Sequence, residues 1–423
     1  MIAVLKKNSL HNVIILCLTI SLMQTGIYSW YRVLPSYMRD LGATPQDIGL
    51  AFTALTIAYR APQILGGWLA DHYGARLITI LGTLLMGILF LFLPMAKHWS
   101  SLLIILCIVF TAGALMYPGQ LSLLIHSSPT NFHARSIGLF DFATISGYLL
   151  GPLLGALLLS YQSYLGTETI SLLFVLTGFT YLMMGIIRWL YLKEVPTNPP
   201  QQQEQTAKAH SWSASFSYSL TILILSMAGF LVYYMLWDGP FPYLYLEDVY
   251  HLSKVEININ STLACVLAMI TSLLGSLAID RIGAIKFTAF MFMAVMTASL
   301  LFIIPYFFVH PSSALWPPLW NSFPYGVGYL LVALVVVPVE GYFIAYQKII
   351  TSLGSPRRRA LWVGFFGSLM GLVPAIGLSL GGYVYASYGL VGPMSLAFLG
   401  SFLGLLMAII LMVMQKRSIQ NGK

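Results

Sequence analysis

Five ionisable side chains interrupt long apolar runs in this sequence: Arg32, Arg60, Asp141, Asp238 and Glu340. A charge deep in a membrane-spanning helix costs at least about 2.5 to 3.5 kcal/mol on the insertion scale, so each needs a task, such as carrying a proton or meeting an opposite charge. Reading back from Arg32 in helical steps, Tyr28, Thr25 and Ser21 share its face; Thr53, Thr56, Gln63 and Gly67 share that of Arg60. Polar stripes of this kind place the two arginines along one side of a water-filled cavity, where a carboxylate or phosphate would seek them. Arg32 stands one turn from Pro35, so snorkelling to the interface is its alternative.

The acids suit proton exchange. Asp141 lies close in rotation to a stripe of glycines on the same helix, which turns it toward protein and within range of one of the arginines. A carboxylate beside a cation stays ionised, and its pKa rises when a substrate takes the cation away. Glu340, in VVVPVEGYF, is the one carboxylate deep in the second half of the chain, where no basic residue lies equally deep. It reads as protonated at rest and as a proton carrier. Asp238, in LWDGPFP, is either a cavity residue or an ordinary helix-end charge. All eight histidines fall in loops or near span ends, which argues against a histidine relay.

The elements that position these groups follow from composition. Of 423 residues, 58% are apolar and 8% charged, against roughly a quarter charged in a soluble domain. Soluble enzymes, nucleic-acid binders and secreted disulfide scaffolds are thereby excluded; no nucleotide loop, metal cluster or nucleophile constellation appears, and no cofactor is expected. Cys17, Cys107 and Cys265 each sit inside an apolar run as small filler. Twelve stretches are long enough to span a bilayer: 12–38, 47–70, 76–96, 100–126, 135–160 and 169–191, then 216–237, 256–279, 286–309, 325–349, 360–385 and 391–414.

Basic residues are retained on the cytoplasmic side during insertion. Sixteen of the 21 Lys and Arg, Arg76 and Arg188 among them, fall in segments and helix ends on one side if the N-terminus is inside. The reading is a multi-pass protein of the cell membrane (inner or plasma) with both termini cytoplasmic. A Pro- and Gln-rich stretch after the sixth span reads as a linker, dividing the chain into a bundle at 1–191, a linker at 192–215 and a bundle at 216–423.

The two bundles repeat. GGWLADHYGAR at 66–76 aligns with GSLAIDRIGAI at 275–285 at an offset of 209, pairing Asp71 with Asp280 and Gly74 with Gly283. LPSYMRDLGATPQDIGL after span 1 has a looser counterpart in FPYLYLEDVYHLSKVEI after span 7.

On these residues the chain resembles the major facilitator superfamily, whose signature between helices 2 and 3 is matched by GWLADHYGAR. The resemblance implies twelve transmembrane helices in two pseudo-symmetric six-helix bundles, an all-α membrane protein. It also implies that Gly67 allows close helix approach, Asp71 caps or pairs at a cytoplasmic gate, Gly74 makes the turn and Arg76 supplies an ionic partner. GYLLGPLLG, with Gly147, Gly151, Pro152 and Gly155, resembles the superfamily's antiporter motif, although Ala156 replaces a common further glycine and residues 99–126 lack the arginine that such antiporters often carry in helix 4. Acids in helices 5, 7 and 10 resemble proton-coupled multidrug exporters. The implied activity is therefore proton-coupled export of amphiphilic organic compounds by a monomer in the lipid bilayer, with no enzymatic step. The alternative is a proton-coupled carrier of a small organic anion held by Arg32 and Arg60.

Overall fold

Prolines and glycines set where the helices break. The computed structural model describes residues 2–128, 133–161, 169–194, 216–308 and 370–421, with isolated positions 337–339, 341, 342, 345 and 368. Most of the expected span 10, the first part of span 11, most of the linker and Glu340 lie outside the described residues.

The expected first span is two helices, α1 (Ile2–Tyr31) and α2 (Leu34–Asp40), because Pro35 lacks an N–H and starts a new first turn. Span 2 is also divided, into α3 (Pro45–Arg60) and α4 (Gln63–Tyr73), at Pro62. Proline frees carbonyls in the preceding turn, and in a bilayer these must find partners. The Ala58 carbonyl accepts from the Thr111 hydroxyl at 3.4 Å and the Tyr59 carbonyl from the Gln63 amide at 3.0 Å. Then follow α5 (Ala75–Phe90), α6 (Trp99–His126), α7 (His133–Ser160) and α8 (Thr169–Tyr191). After the linker come α9 (Phe216–Tyr233), a π-helical turn over Tyr234–Asp238, and α10 (Phe241–Tyr250). The remaining described helices are α11 (Lys254–Ile282), α12 (Ala284–Phe308), α13 (Leu372–Tyr388) and α14 (Val391–Asn421). Among the described residues eight helical stretches are long and apolar enough to cross a membrane.

The internal repeat is visible in the backbone. Thr44 and Asp47 form a reciprocal cap at the start of α3, and Ser253 and Glu256 form the same cap at the start of α11, 209 residues later. Gly74 ends α4 at φ +96° and Gly283 ends α11 at φ +87°, left-handed conformations that glycine adopts without penalty.

Helices before the linker pack mainly on one another, α1 on α7 and α8, and α5 on α6 and α8; after it α14 packs on α9, α12 and α13. Two seams join the sets: α3 with α13, and α7 with α11. In the first, a Cβ on Gly49 would lie 2.7 Å from the Gly382 Cα. In the second, the Asn258 side chain lies against Gly155. Gly49 and Asn258 are themselves 209 residues apart, so the two seams are copies of one contact.

Candidate functional site

The π-turn creates the first part of the site. Gly239 and Pro240 prevent the helix from continuing, which leaves the Trp237 and Asp238 carbonyls without helical partners. Side chains take them: Arg32 Nη1 donates to the Trp237 carbonyl at 2.9 Å, Tyr243 donates to the same oxygen at 2.9 Å, and Tyr31 donates to the Asp238 carbonyl at 3.4 Å. The Asp238 carboxylate meets Arg32 Nη1 at 3.4 Å and accepts from the Tyr28 hydroxyl at 3.1 Å. The Arg32 guanidinium carbon also lies 4.8 Å from the Tyr28 ring, 4.5 Å from Trp237 and 5.3 Å from Tyr243. Arg32 is 0% exposed. The expected open polar face is therefore absent at Arg32 in this conformation: the arginine crosses from one set of helices to the other and is sealed there.

Arg60 is placed differently. It is the last residue of α3, beside the Pro62 break, and Ser368 donates to its carbonyl at 2.7 Å. Its guanidinium carbon stands 5.0 Å from the Phe230 ring and 5.3 Å from Tyr59, and Nη2 reaches the Tyr234 hydroxyl at 3.4 Å. Gly371 closes in on its side-chain stem. Among the described residues no carboxylate comes within ion-pair distance of Arg60, and its buried Nε lacks a hydrogen-bond partner. Unlike Arg32, it is only part-buried.

Asp141 is half-buried on α7, in electrostatic reach of Tyr117 and Cys17. Gly67 is buried, and the close approach falls at Gly66, where a Cβ would lie 2.5 Å from the Leu115 carbonyl on α6. Asp71 is exposed in the last turn of α4; Asp280 occupies the last turn of α11. Arg76 does find an ionic partner, Glu194 at 3.9 Å, but its shorter bonds go to the carbonyls of Leu192 at 2.7 Å and Trp189 at 2.9 Å. Arg76 thus clamps the end of α8, a favourable place for a cation. Gly147, Gly151 and Gly155 let α7 lie directly on α1, with Pro152 inside the helix: Cβ atoms on the first two would approach Gln24 Cβ at 2.5 Å and Tyr28 Cβ at 2.7 Å.

Two features escape the sequence reading. Arg188, expected at a cytoplasmic helix end, is 0% exposed inside the first set of helices. It donates to Thr19 Oγ1 at 2.9 Å and Thr83 Oγ1 at 2.7 Å and lies 3.6 Å from the Met116 sulfur on α6. Neighbouring Trp189, Tyr191 and Lys193 disguise it as an interfacial residue; hydroxyls on two apolar helices were the available signal. Among the described residues no carboxylate pairs with it, so an apolar chain of similar volume should serve packing as well. Arg188→Met is expected to keep or raise the unfolding temperature. Arg188→Ala, which leaves a void, is expected to lose about 2 to 5 kcal/mol, a contrast that thermal unfolding in detergent will read.

The second feature is an ionic latch between the loops. Arg39 bonds Asp248 at 2.7 and 3.3 Å and approaches Glu247 at 3.4 Å; Lys254 pairs with Asp40. Ser36 donates to Glu247 at 2.7 Å and Tyr385 to Asp248 at 2.8 Å. Partial burial works against the Arg39 charge, but the hydrogen bond and charge of Asp248 outweigh it and raise its pKa. The acids were visible in LEDVYHLSK, but their cationic partner Arg39 is more than 200 residues away.

A family profile described as Major Facilitator Superfamily matches residues 14–340. The chain belongs to the major facilitator superfamily. Among curated relatives, the quinolone resistance protein NorA of Staphylococcus aureus (strain MSSA476) is 26% identical over 251 residues, 59% of this chain and 62% of that protein. An uncharacterized MFS-type transporter, MJ1560, of Methanocaldococcus jannaschii is 23% identical over 53% of this chain and 60% of that one. The chain thus spans about three-fifths of the length of these relatives. A D-xylose-proton symporter aligns over 94% of this chain and 96% of its own at TM-score 0.69 and 14% identity. The human organic anion transporter MFSD10 aligns over 95% and 99% at TM-score 0.66 and 15% identity. At these identities the structural likeness establishes the major facilitator fold, an all-α multi-pass membrane architecture.

Proposed function

We propose that this chain is a proton-coupled secondary transporter that exports amphiphilic organic compounds by alternating access between two six-helix halves, residues 1–191 and 216–423, joined by the linker at 192–215. The observation that carries the reading is the seam between the sets of helices. Its described polar contacts run from the Arg39–Asp248 latch, through Arg32–Asp238, to Arg60 and Ser368 near the middle. With both termini cytoplasmic, this is a state closed toward the outside. Opening it requires the latch and the Arg32 lock to part together, while Gly74 and Gly283 hold tight loops at the opposite end.

Similarity to a quinolone resistance protein favours an amphiphilic organic cargo. Asp141, Asp238 and Glu340 supply proton-binding carboxylates along the pathway. Gly67, Asp71, Arg76 and Asp280 belong to the cytoplasmic gate. The chain is proposed to act as a monomer in a cell membrane. The second reading, a carrier of organic anions, draws support from one observation: Arg60 has no carboxylate partner among the described residues.

The test is reconstitution into liposomes with an imposed pH gradient. Gradient-driven movement of amphiphiles supports export; absence of any gradient-dependent flux would overturn it. Glu340→Gln is expected to abolish coupled flux while substrate binding persists, and unchanged pH-driven flux would remove Glu340 from the pathway.

A further inference from the structure

We infer that the cargo is an aromatic amphiphile bearing a single oxyanion, its anionic group held by Arg60 and its ring lodged among the aromatic side chains around that residue. The inference rests on the transport reading and names the substrate class. Among the described residues three arginines within the helical sets, two buried and one part-buried, compete for the role of anion receptor, and the geometry separates them. Arg32 pairs with Asp238 and caps the Trp237 carbonyl, and although its Nε and Nη2 lack partners it is sealed from any ligand at 0% exposure. Arg188 is sealed within one set of helices and serves Thr19 and Thr83. Arg60 stands at the seam as Arg32 does, but of the three it alone remains partly exposed.

Its orientation leaves a specific edge for a ligand. Phe230 and Tyr59 lie against the guanidinium, so carboxylate recognition falls to its N–H edges. On the Nε side, among the described residues, Nε has no partner and Nη2 holds only a long 3.4 Å bond to the Tyr234 hydroxyl. Two adjacent N–H donors in that fork fit two oxygens of a carboxylate or sulfonate. A charged buried donor left unmade is costly, and an incoming oxyanion removes that cost where an amphiphilic cation would add to it.

The surroundings select an aromatic body. Tyr59 lies 6.1 Å from Phe110 and 6.4 Å from Tyr117, and Tyr233 lies 6.2 Å from Phe230 and 5.5 Å from Tyr234. Ring surfaces therefore flank Arg60 from both sets of helices, and aromatic solutes pack on them edge-to-face or offset. An aliphatic acid of equal hydrophobicity lacks that geometry.

The experiment uses the full chain in lipid nanodiscs and in proteoliposomes, with naphthoate, naphthylmethylammonium and octanoate as binding probes and naphthalenesulfonate, which stays charged, for flux. Naphthoate is expected to bind about tenfold or more tighter than either of the others, and Arg60→Lys, which keeps the charge but loses the fork, is expected to weaken it about tenfold. Arg60→Gln should weaken it further while leaving the ammonium probe unaffected. Octanoate binding as well as naphthoate overturns the aromatic part. Tighter ammonium binding, or naphthoate binding unchanged in both Arg60 variants, overturns the inference, and gradient-driven ammonium flux would then leave the transport reading intact. Naphthoate binding that depends on Arg60, without gradient-driven flux of any probe, supports the site and overturns the transport reading instead.

Discussion

Asp238→Ala is expected to cost about 3 to 5 kcal/mol of stability, because it strands the fully enclosed Arg32 charge without its counter-ion. The Tyr28 hydroxyl loses its acceptor in the same step. Unfolding titrations in mixed micelles will measure this. Asp238→Asn should cost less, since an amide oxygen still accepts from Tyr28. The decisive comparison is Arg32→Met combined with Asp238→Leu, which removes both charges and should recover most of the lost stability. A single variant within about 1 kcal/mol of the natural chain would mean that the pair behaves as a solvated contact, and the sealed lock would have to be abandoned.

The recovery expected of the apolar pair bears on function. A buried ion pair adds little net stability over well-packed apolar residues, so its presence needs another reason. Here the pair joins α1 to the π-turn following α9, the place where the two sets of helices must separate in any rocking motion. The apolar double variant is thus expected to be stable yet slow to open. Flux assays would show lowered turnover with unchanged stability.

The spans, the repeat and the glycine stripe were legible because each has a local signature. A run of apolar residues announces a helix, and Gly74 and Gly283 announce turns that only a positive φ satisfies. The matching caps at Thr44–Asp47 and Ser253–Glu256 also have a local signature, S/T-x-x-D/E before apolar runs, that went unread. What stayed hidden depends on tertiary partners. Nothing near Arg32 identifies Asp238, 206 positions away, as its counter-ion, and nothing near Arg188 shows that Thr19 and Thr83 close around it. The helix breaks were hidden for another reason. Pro62 and Gly239 sit inside apolar runs, and hydropathy does not register that a proline or glycine has freed carbonyls for distant side chains to claim.

Gly155→Ala carries a large steric effect. The added methyl would lie 2.6 Å from Asn258 Nδ2 and 2.9 Å from the Ser29 carbonyl carbon, and nearer still to the Ser29 carbonyl oxygen. Backbone cannot step aside as a flexible side chain can, so α7 must move off α1, at a cost at or above the usual 1 to 3 kcal/mol, roughly, for overpacking. Gly138, on the same helix, has nothing within 4 Å of an added Cβ, so Gly138→Ala should be neutral or gain about 0.5 to 1 kcal/mol as glycine leaves a helix interior. The position of Gly155 gives the variant a second readout. It stands where α1, α7 and α11 meet, with the Asn258 amide donating to the Ser29 carbonyl at 3.4 Å. Swelling this junction penalises the closed seam more than an arrangement in which α7 and α11 have parted. Spin labels at Arg39 and Asp248 would replace the latch, so labels at half-buried Gln46 and exposed Tyr388 flank it instead. Gly155→Ala is expected to lengthen that distance or broaden its distribution, whereas a variant that merely destabilises the fold would lower the unfolding temperature with the distance unchanged.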